Sequence, residues 1–420
     1  MGKDGVEGLI SLEQVQRTVL GVCRALAPVE IGLGAALGHV LAADVHAPRD
    51  LPPFANTAMD GYALRAGDTA DAPVELQVVG VLPAGAAPRI PVETGTAIQI
   101  MTGAPIPAGA DAIAIVERTE PGSSHGMVRI LEQVSPGDFI RPAGSDLHRG
   151  DMAVAAGTVI GPAHVSLFAS VDAATVVVHP RPRVGVLSTG DELADAAKPL
   201  EPGQIRDSNR QGLLAALQRD GFTGIDLGVC PDDESAISTV LKEAVKHCDA
   251  VLTTGGVSMG EFDFVKVALE ALVAEGGGTV HQFKVAIKPA KPLSFAAVDA
   301  PAGVVPVFGL PGNPVSSMVS YQVVALPALR WLAGHRSPLP RRFPAVAADD
   351  FARRPDGKLH LLRVVAAMGP DGRIIVRSAG AQGSHQLAAL VAANALALVP
   401  DGDGISTGEE VQIFLTGSLE

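Results

Sequence analysis

Only three cysteines occur in 420 residues, Cys23, Cys230 and Cys248, and none stands in a CxxC or zinc-ligand spacing. That excludes a disulfide framework or a structural zinc site as the organising device and makes a reducing cytoplasm the expected compartment. No dense basic segment offsets the net charge of -13, so no nucleic acid or anionic membrane is expected as a partner. Arg341-Arg342 and Arg353-Arg354 are isolated pairs, expected to be solvated surface. No apolar run approaches the ~20 residues that span a bilayer. Residues 1–6 lack the apolar core of a secretory signal, and Val6 stands where a myristoylation signal takes Ser or Thr. The histidines form no HxxxH or HExxH pair, and no GxxxxGK[ST] loop or GxSxG elbow is present. Gly32–Gly38 resembles a dinucleotide fingerprint, but its last glycine is one residue late and no apolar strand precedes it.

What is present is a multidomain composition, 47% hydrophobic with 47 Gly and 32 Pro spread along the chain, which suits several packed, turn-rich units. Ser11 and Gln14 have capping-box spacing, and Leu12, Val15, Val19, Val22 and Leu26 recur at helical intervals, giving an amphipathic helix ended by Pro28. From 48 to 143, β-type runs at 74–81, 97–101, 112–117 and 128–133 alternate with turns and indicate an inserted β-domain. From 180 to 335, strands at 184–188, 225–229, 250–254 and 304–308 alternate with helices, which predicts a doubly wound, mainly parallel α/β domain. Asp207 and Asp233 or Ser235 cap two of those helices, and Asn313-Pro314 opens the last. The chain from 336 to 420 is β-rich again.

In an open parallel sheet, ligands bind outside the carboxyl ends of the strands. Three loops there are rich in polar groups and glycine: Ser188-Thr189-Gly190-Asp191-Glu192, Thr253 to Asp263, and Gly309 to Ser316. Glycines and hydroxyls ahead of a helix suit a phosphate or similar oxyanion, through free N–H groups and the positive dipole end. Glu192, Asp263 and Asp191 would repel that anion unless a hard divalent ion, Mg2+, bridged them; for Asp191 helix capping is an equal alternative. Lys288-Pro289-Ala290-Lys291-Pro292 sets two ammonium groups on a proline-stiffened segment, which limits the entropy lost in holding an anion.

These motifs, STGDEL (188–193), DSN (207–209), TGGVSMG (254–260), KPAKP (288–292) and GLPGNPVS (309–316), stand in the order seen in the molybdopterin molybdotransferases, a family this chain resembles. The likeness continues in PPFANTAMDGYA (52–63), IMTGA (100–104), RPAGSDLHRGD (141–151) and GAQGSH (380–385). It implies a helix at 8–27 on the α/β domain, a discontinuous linking unit (28–47 and 144–179), the inserted β-domain, a pterin-binding α/β domain and a C-terminal β-barrel-like domain. The implied activity is insertion of molybdate into adenylylated molybdopterin with release of AMP, by a Mg2+-dependent cytoplasmic homodimer that meets the adenylyltransferase and acceptor molybdoenzymes transiently.

Carried over by motif, Asp60, Thr102, Asp146, Glu192, Asp263, Lys288 and Lys291 are the implied catalytic positions, with Glu192 and Asp263 on the metal. Ser188, Thr189, Gly190, Asp207, Ser208, Asn209, Gly255, Gly256, Ser258, Gly312 and Asn313 would hold pterin and phosphate. Lys291, Ser316, Arg363 and Ser384 would hold molybdate. Relatives usually carry Gly where Ala290 lies. The alternatives from other classes are a non-catalytic pterin-binding scaffold and an adenylyltransferase acting one step earlier.

Overall fold

The computed structural model describes residues 8–194, 199–256, 264–301 and 303–419. Two compact units emerge: one holds the chain up to Val29, Gly38–Ala42 and Val178–Glu420, the other Glu30–Leu37 and Ala43–Val177. In the second, a six-stranded sheet runs in the order Ala112–Ile115, Gly61–Leu64, Thr96–Ile100, Val74–Leu82, Met127–Ile130, Thr119–Pro121. Leu64, Leu76, Val128 and Ile130 form one of its cores. The run expected to reach Glu117 leaves the sheet at Ile115, where a 3-10 turn, Val116–Arg118, begins.

The other unit is built on a six-stranded sheet in the order Thr223–Cys230, Arg183–Thr189, Ala250–Thr254, Gly303–Leu310, Pro292–Ala300, Gly278–Lys284. Its first four strands are parallel. Strand Pro292–Ala300 runs antiparallel to both of its neighbours; residues 301–302 are too short a connection for a parallel crossover to Gly303–Leu310. Helix Ser208–Arg219 and the run from Pro314 to Leu332 cover one face, burying Leu213, Leu217, Val315 and Leu329 with Val184, Val186, Leu252 and Phe308. Glu234–His247 and Phe264–Gly276 cover the other, with Ile237, Leu241 and Leu269 against Leu187, Val251 and Val307. The domain is therefore doubly wound.

One feature of that helical run is absent from the sequence pattern. Tyr321–Ala325 forms a π-helical turn in which the N–H of Leu326 reaches the carbonyl of Tyr321. Pro327 has no N–H to donate and its ring would strike the carbonyl one turn back, so the widened turn accommodates it. Tyr321 is fully buried, and its hydroxyl donates to Asp220 at 2.8 Å.

Five strands of the C-terminal part, Leu359–Met368, Ile374–Ser378, Phe343–Ala347, Glu410–Leu415 and Ala395–Val399, close on themselves through the pairing of the first with the last. The interior is narrow and takes small side chains, among them Ala345, Ala366, Ala395 and Ala397. Arg353 departs from the solvated-surface expectation. Its side chain is 4% exposed and bridges Asp356 at 2.6 Å and Asp401 at 2.7 Å, while also donating to the carbonyls of Lys358, Val399 and Pro400. Arg342 lies over the Phe414 ring and reaches Glu13.

The first helix spans Leu12–Val22, with the Ser11 side chain accepting from the Gln14 N–H and Leu12, Val15 and Val19 buried. It ends well short of Pro28. Gly21 and β-branched Val22 weaken its last turn, and the Leu26 N–H instead bonds the Leu332 carbonyl in extended backbone. Replacing Ser11 by Ala should cost about 1 kcal/mol of local helix stability. Native-state hydrogen exchange of the Arg17–Leu20 amides should then quicken roughly fivefold.

Candidate active site

The carboxyl ends of the parallel strands bring three loops into direct contact. Ser188 and Thr189 close the Arg183–Thr189 strand and are buried. Ser188 donates to Asp207 at 3.0 Å, and the same carboxylate accepts from the Arg210 N–H as cap of the Ser208–Arg219 helix. Asn209 ties this helix to both neighbouring loops, its amide donating to Thr254 Oγ1 at 2.8 Å and to the Gly312 carbonyl at 2.7 Å. Its Oδ1 is buried with no partner among the described residues.

Gly255 must be glycine here. Its φ is +98°, and a Cβ would stand 2.1 Å from the Thr189 carbonyl oxygen. Gly256 is also left-handed, and Gly312 packs over Gly255. Ser208 and Asn313 are exposed beside this junction. Asn313 occupies the cap position of helix Pro314–Ser320, yet its side chain makes no capping bond. Ser258 and Asp263 lie outside the described residues.

Gly190 and Glu192 follow the first strand, and Glu192 is exposed. Asp191 caps no helix; its carboxylate accepts from the Asp232 N–H at 3.2 Å. Asp232, absent from the sequence expectations, is the acid added by the structure, on the loop after strand Thr223–Cys230. Burial, then the charges of Asp191 and Glu192, push its carboxyl above the usual carboxylate range. A hard, oxygen-seeking divalent ion fits such repelling carboxylates. Among the described residues no three acids, histidines or cysteines converge closely enough to hold one unaided.

The oxyanion candidates are linked through the C-terminal barrel. Arg363 is fully buried, with no carboxylate bonded to it among the described residues. One Nη donates to the carbonyls of Ala381 and Gly383 at 3.0 and 3.1 Å, while Nε and the other Nη have no partner among the described residues. Burial lowers its pKa. The next residue, Ser384, accepts from the Val315 N–H at 3.1 Å and so sits beside buried Ser316.

Lys288 pairs with His360 across a short parallel ladder. It shares with Arg353, Arg354, Asp356, His360 and Arg363 a cavity of about 550 Å³. Lys291 does not line it; half-buried, it precedes strand Pro292–Ala300, and its carbonyl accepts from the Val285 N–H. Between the lysines Ala290 is buried at φ +79°, a left-handed conformation that costs an alanine roughly 1–2 kcal/mol and that glycine adopts freely.

In the other unit, Asp60 Oδ1 accepts from both the N–H and the hydroxyl of Thr102, at 2.6 and 2.7 Å. These bonds, the backbone one first, hold the Asp60 carboxyl below its ordinary range. Asp146 is exposed, and no hydrogen bond joins it to that pair among the described residues.

Because Asp232 has a raised pKa in the fold, its ionised form is the disfavoured one. The destabilisation appears as pH rises through the unfolded carboxylate range and is complete above the folded pKa. Asp232→Asn should therefore raise the thermal midpoint at neutral pH, and the gain should vanish in acid below that range, as scanning calorimetry at several pH values would read.

Three family models match along the chain: MoeA N-terminal region (domain I and II) over 10–171, probable molybdopterin binding domain over 185–331, and MoeA C-terminal region (domain IV) over 344–416. Molybdopterin molybdenumtransferase 2 of Mycobacterium tuberculosis (strain ATCC 25618 / H37Rv) is 38% identical, covering 96% of this chain and 99% of that protein. Molybdopterin molybdenumtransferase of Haemophilus influenzae is 36% identical over 91% of this chain and 92% of its own length. The crystal structure of a molybdopterin biosynthesis moeA protein from Pyrococcus horikoshii OT3 superposes with a TM-score of 0.78 at 29% identity, covering 97% of this chain and 100% of that one. With loops of this geometry and relatives similar from end to end, the chain belongs to the molybdopterin molybdenumtransferase family.

Proposed function

We propose that this protein transfers molybdate into the dithiolene of adenylylated molybdopterin and releases AMP, the last step of molybdenum cofactor synthesis. The observation that carries this reading is its end-to-end similarity to proteins named for that transfer. The chemistry of the site supports it. The pterin nucleotide would lie along the sheet edge, its phosphates near Gly255, Gly256, Gly312 and Asn313. Ser188, Thr189, Gly190, Asp207, Ser208, Asn209 and Ser258 would order that pocket. Molybdate would be drawn to Arg363 and Lys288, whose charges an acidic protein needs in order to bind a dianion, with Lys291, Ser316 and Ser384, which stand outside the lining of the cavity those two share, proposed to complete its surroundings.

Glu192 and Asp263 would hold Mg2+, with Asp232 close by. When bound, the ion supplies charge neutralisation at the phosphates. The protein's own residues then bind and orient the two anions while the phosphoanhydride opens. Asp60 and Asp146 would position a water, with Thr102 fixing the Asp60 carboxylate. We retain the finer division into a helix at 8–27, a linking unit at 28–47 and 144–179, and domains at 48–143, 180–335 and 336–420. A homodimer is the proposed assembly, and exposed Met59 and Met101, flanking the Asp60–Thr102 pair, are apolar surface a second copy could cover. Transient contact with the adenylyltransferase and acceptor molybdoenzymes in the cytoplasm completes the picture.

Purified protein with adenylylated molybdopterin and Mg2+ should release AMP only when molybdate is added. Pyrophosphate would indicate an adenylyltransferase, and tight pterin binding with no product a scaffold. Lys291→Ala and Glu192→Gln should each lower AMP release at least tenfold with the thermal midpoint unchanged. Normal turnover by both variants would contradict the assigned roles.

A further inference from the structure

The cavity that holds Lys288 and Arg363 contains a titratable pair the proposed transfer leaves without a role. His360 is 7% exposed. Its Nε2 stands 3.2 Å from Asp356, and the β-ladder register sets it directly beside Lys288. Asp356 is shared, since Arg353 and Lys358 also donate to it, at 2.6 and 3.0 Å. Nδ1 is the ring nitrogen not engaged by Asp356.

The charges on the cavity wall are Lys288, Arg353, Arg354 and Arg363 against Asp350 and Asp356. Asp350 is already occupied by the N–H and hydroxyl of Thr407. For Asp356, burial opposes ionisation, but hydrogen bonds from Lys358 and His360 prevail and keep it a carboxylate. For His360, burial, with the Arg353 and Lys288 charges, outweighs the help of Asp356 and holds the ring below the usual imidazole range. The burial and fixed charges of the cavity wall thus disfavour one more positive charge. A dianion arriving there reverses that balance, because it faces fixed cations and adds an acceptor within the same space.

We infer that His360 is a positioning residue for the oxyanion. When a tetrahedral dianion enters the cavity, the ring takes one proton from solvent, keeps Nε2–H on Asp356 and offers Nδ1–H to the anion. Oxyanion binding is therefore coupled to uptake of a proton. This rests on the reading of the cavity as the molybdate site. By linkage, affinity strengthens as pH falls through the window between the pKa of the anion-bound ring and the lower one of the free ring, by up to tenfold per pH unit, and is flat outside it.

Isothermal titration calorimetry of the full-length protein with sodium molybdate tests this, run between about pH 6 and 8 in pairs of buffers with different ionisation heats. The expected result is uptake of a substantial fraction of one proton per molybdate bound. His360→Gln, which can still donate a hydrogen bond but cannot titrate, should bind molybdate with no uptake and a flat pH profile. Binding by the unaltered protein without proton uptake overturns the inference alone, as does uptake undiminished in His360→Gln. No molybdate binding at any pH overturns the cavity reading and the inference with it.

Discussion

A guanidinium that is buried completely and bonded to no carboxylate among the described residues, next to the point where the C-terminal barrel meets the α/β domain, is the constraint on which the site depends. Taking an ionised group out of water costs several kcal/mol even after relaxation, whereas a hydrogen bond to a charged group contributes about 1.5–3 kcal/mol. Arg363 has two such bonds, to the carbonyls of Ala381 and Gly383. They offset part of its desolvation, burial still lowering its pKa, and leave Nε and one Nη without a partner among the described residues. They also fix the 381–384 segment, so that Ser384 meets the start of helix Pro314–Ser320. One cation thereby serves as the strut that holds its neighbours and as the group to which the proposed oxyanion would bind.

The sheet edge obeys a complementary rule. Where Arg363 supplies charge, the loops after the strands supply close approach. Gly255 lies against the Thr189 carbonyl and Gly312 against Gly255, while the Asn209 amide bridges two loops. Backbone groups crowded this tightly leave little side-chain bulk between a ligand and the N–H groups, the geometry phosphate recognition requires. The acidic side is set by repulsion, with Asp191, Glu192 and Asp232 near one another because each follows a strand of the same parallel sheet.

Much of this was legible in the sequence because it is local. The strand 250–254 and the caps Asp207 and Asp233 follow from periodicity and capping chemistry acting over a few residues. Strand Phe343–Ala347 carries Pro344, which reads against a strand, and the π-helical turn is hidden because Pro327 can be met either by ending the helix or by widening its turn, which the local pattern does not distinguish. Arg353 read as surface because its partners, Asp401 and the Val399 and Pro400 carbonyls, are more than forty residues away. Asp232 carries no sign of its own because Asp233 beside it explains the helix start, and His360 gives no local sign that a ladder sets it beside Lys288. Interactions that close over long sequence separations are the ones a linear pattern cannot carry.

The central claim, that the Arg363–Lys288 cavity receives the oxyanion, is tested most directly by anomalous diffraction at the molybdenum edge on crystals of this protein soaked in molybdate. The account predicts an anomalous peak within hydrogen-bonding reach of molybdate oxygens to Arg363 and Lys288. A peak elsewhere on the protein with that cavity vacant at saturating molybdate would contradict it.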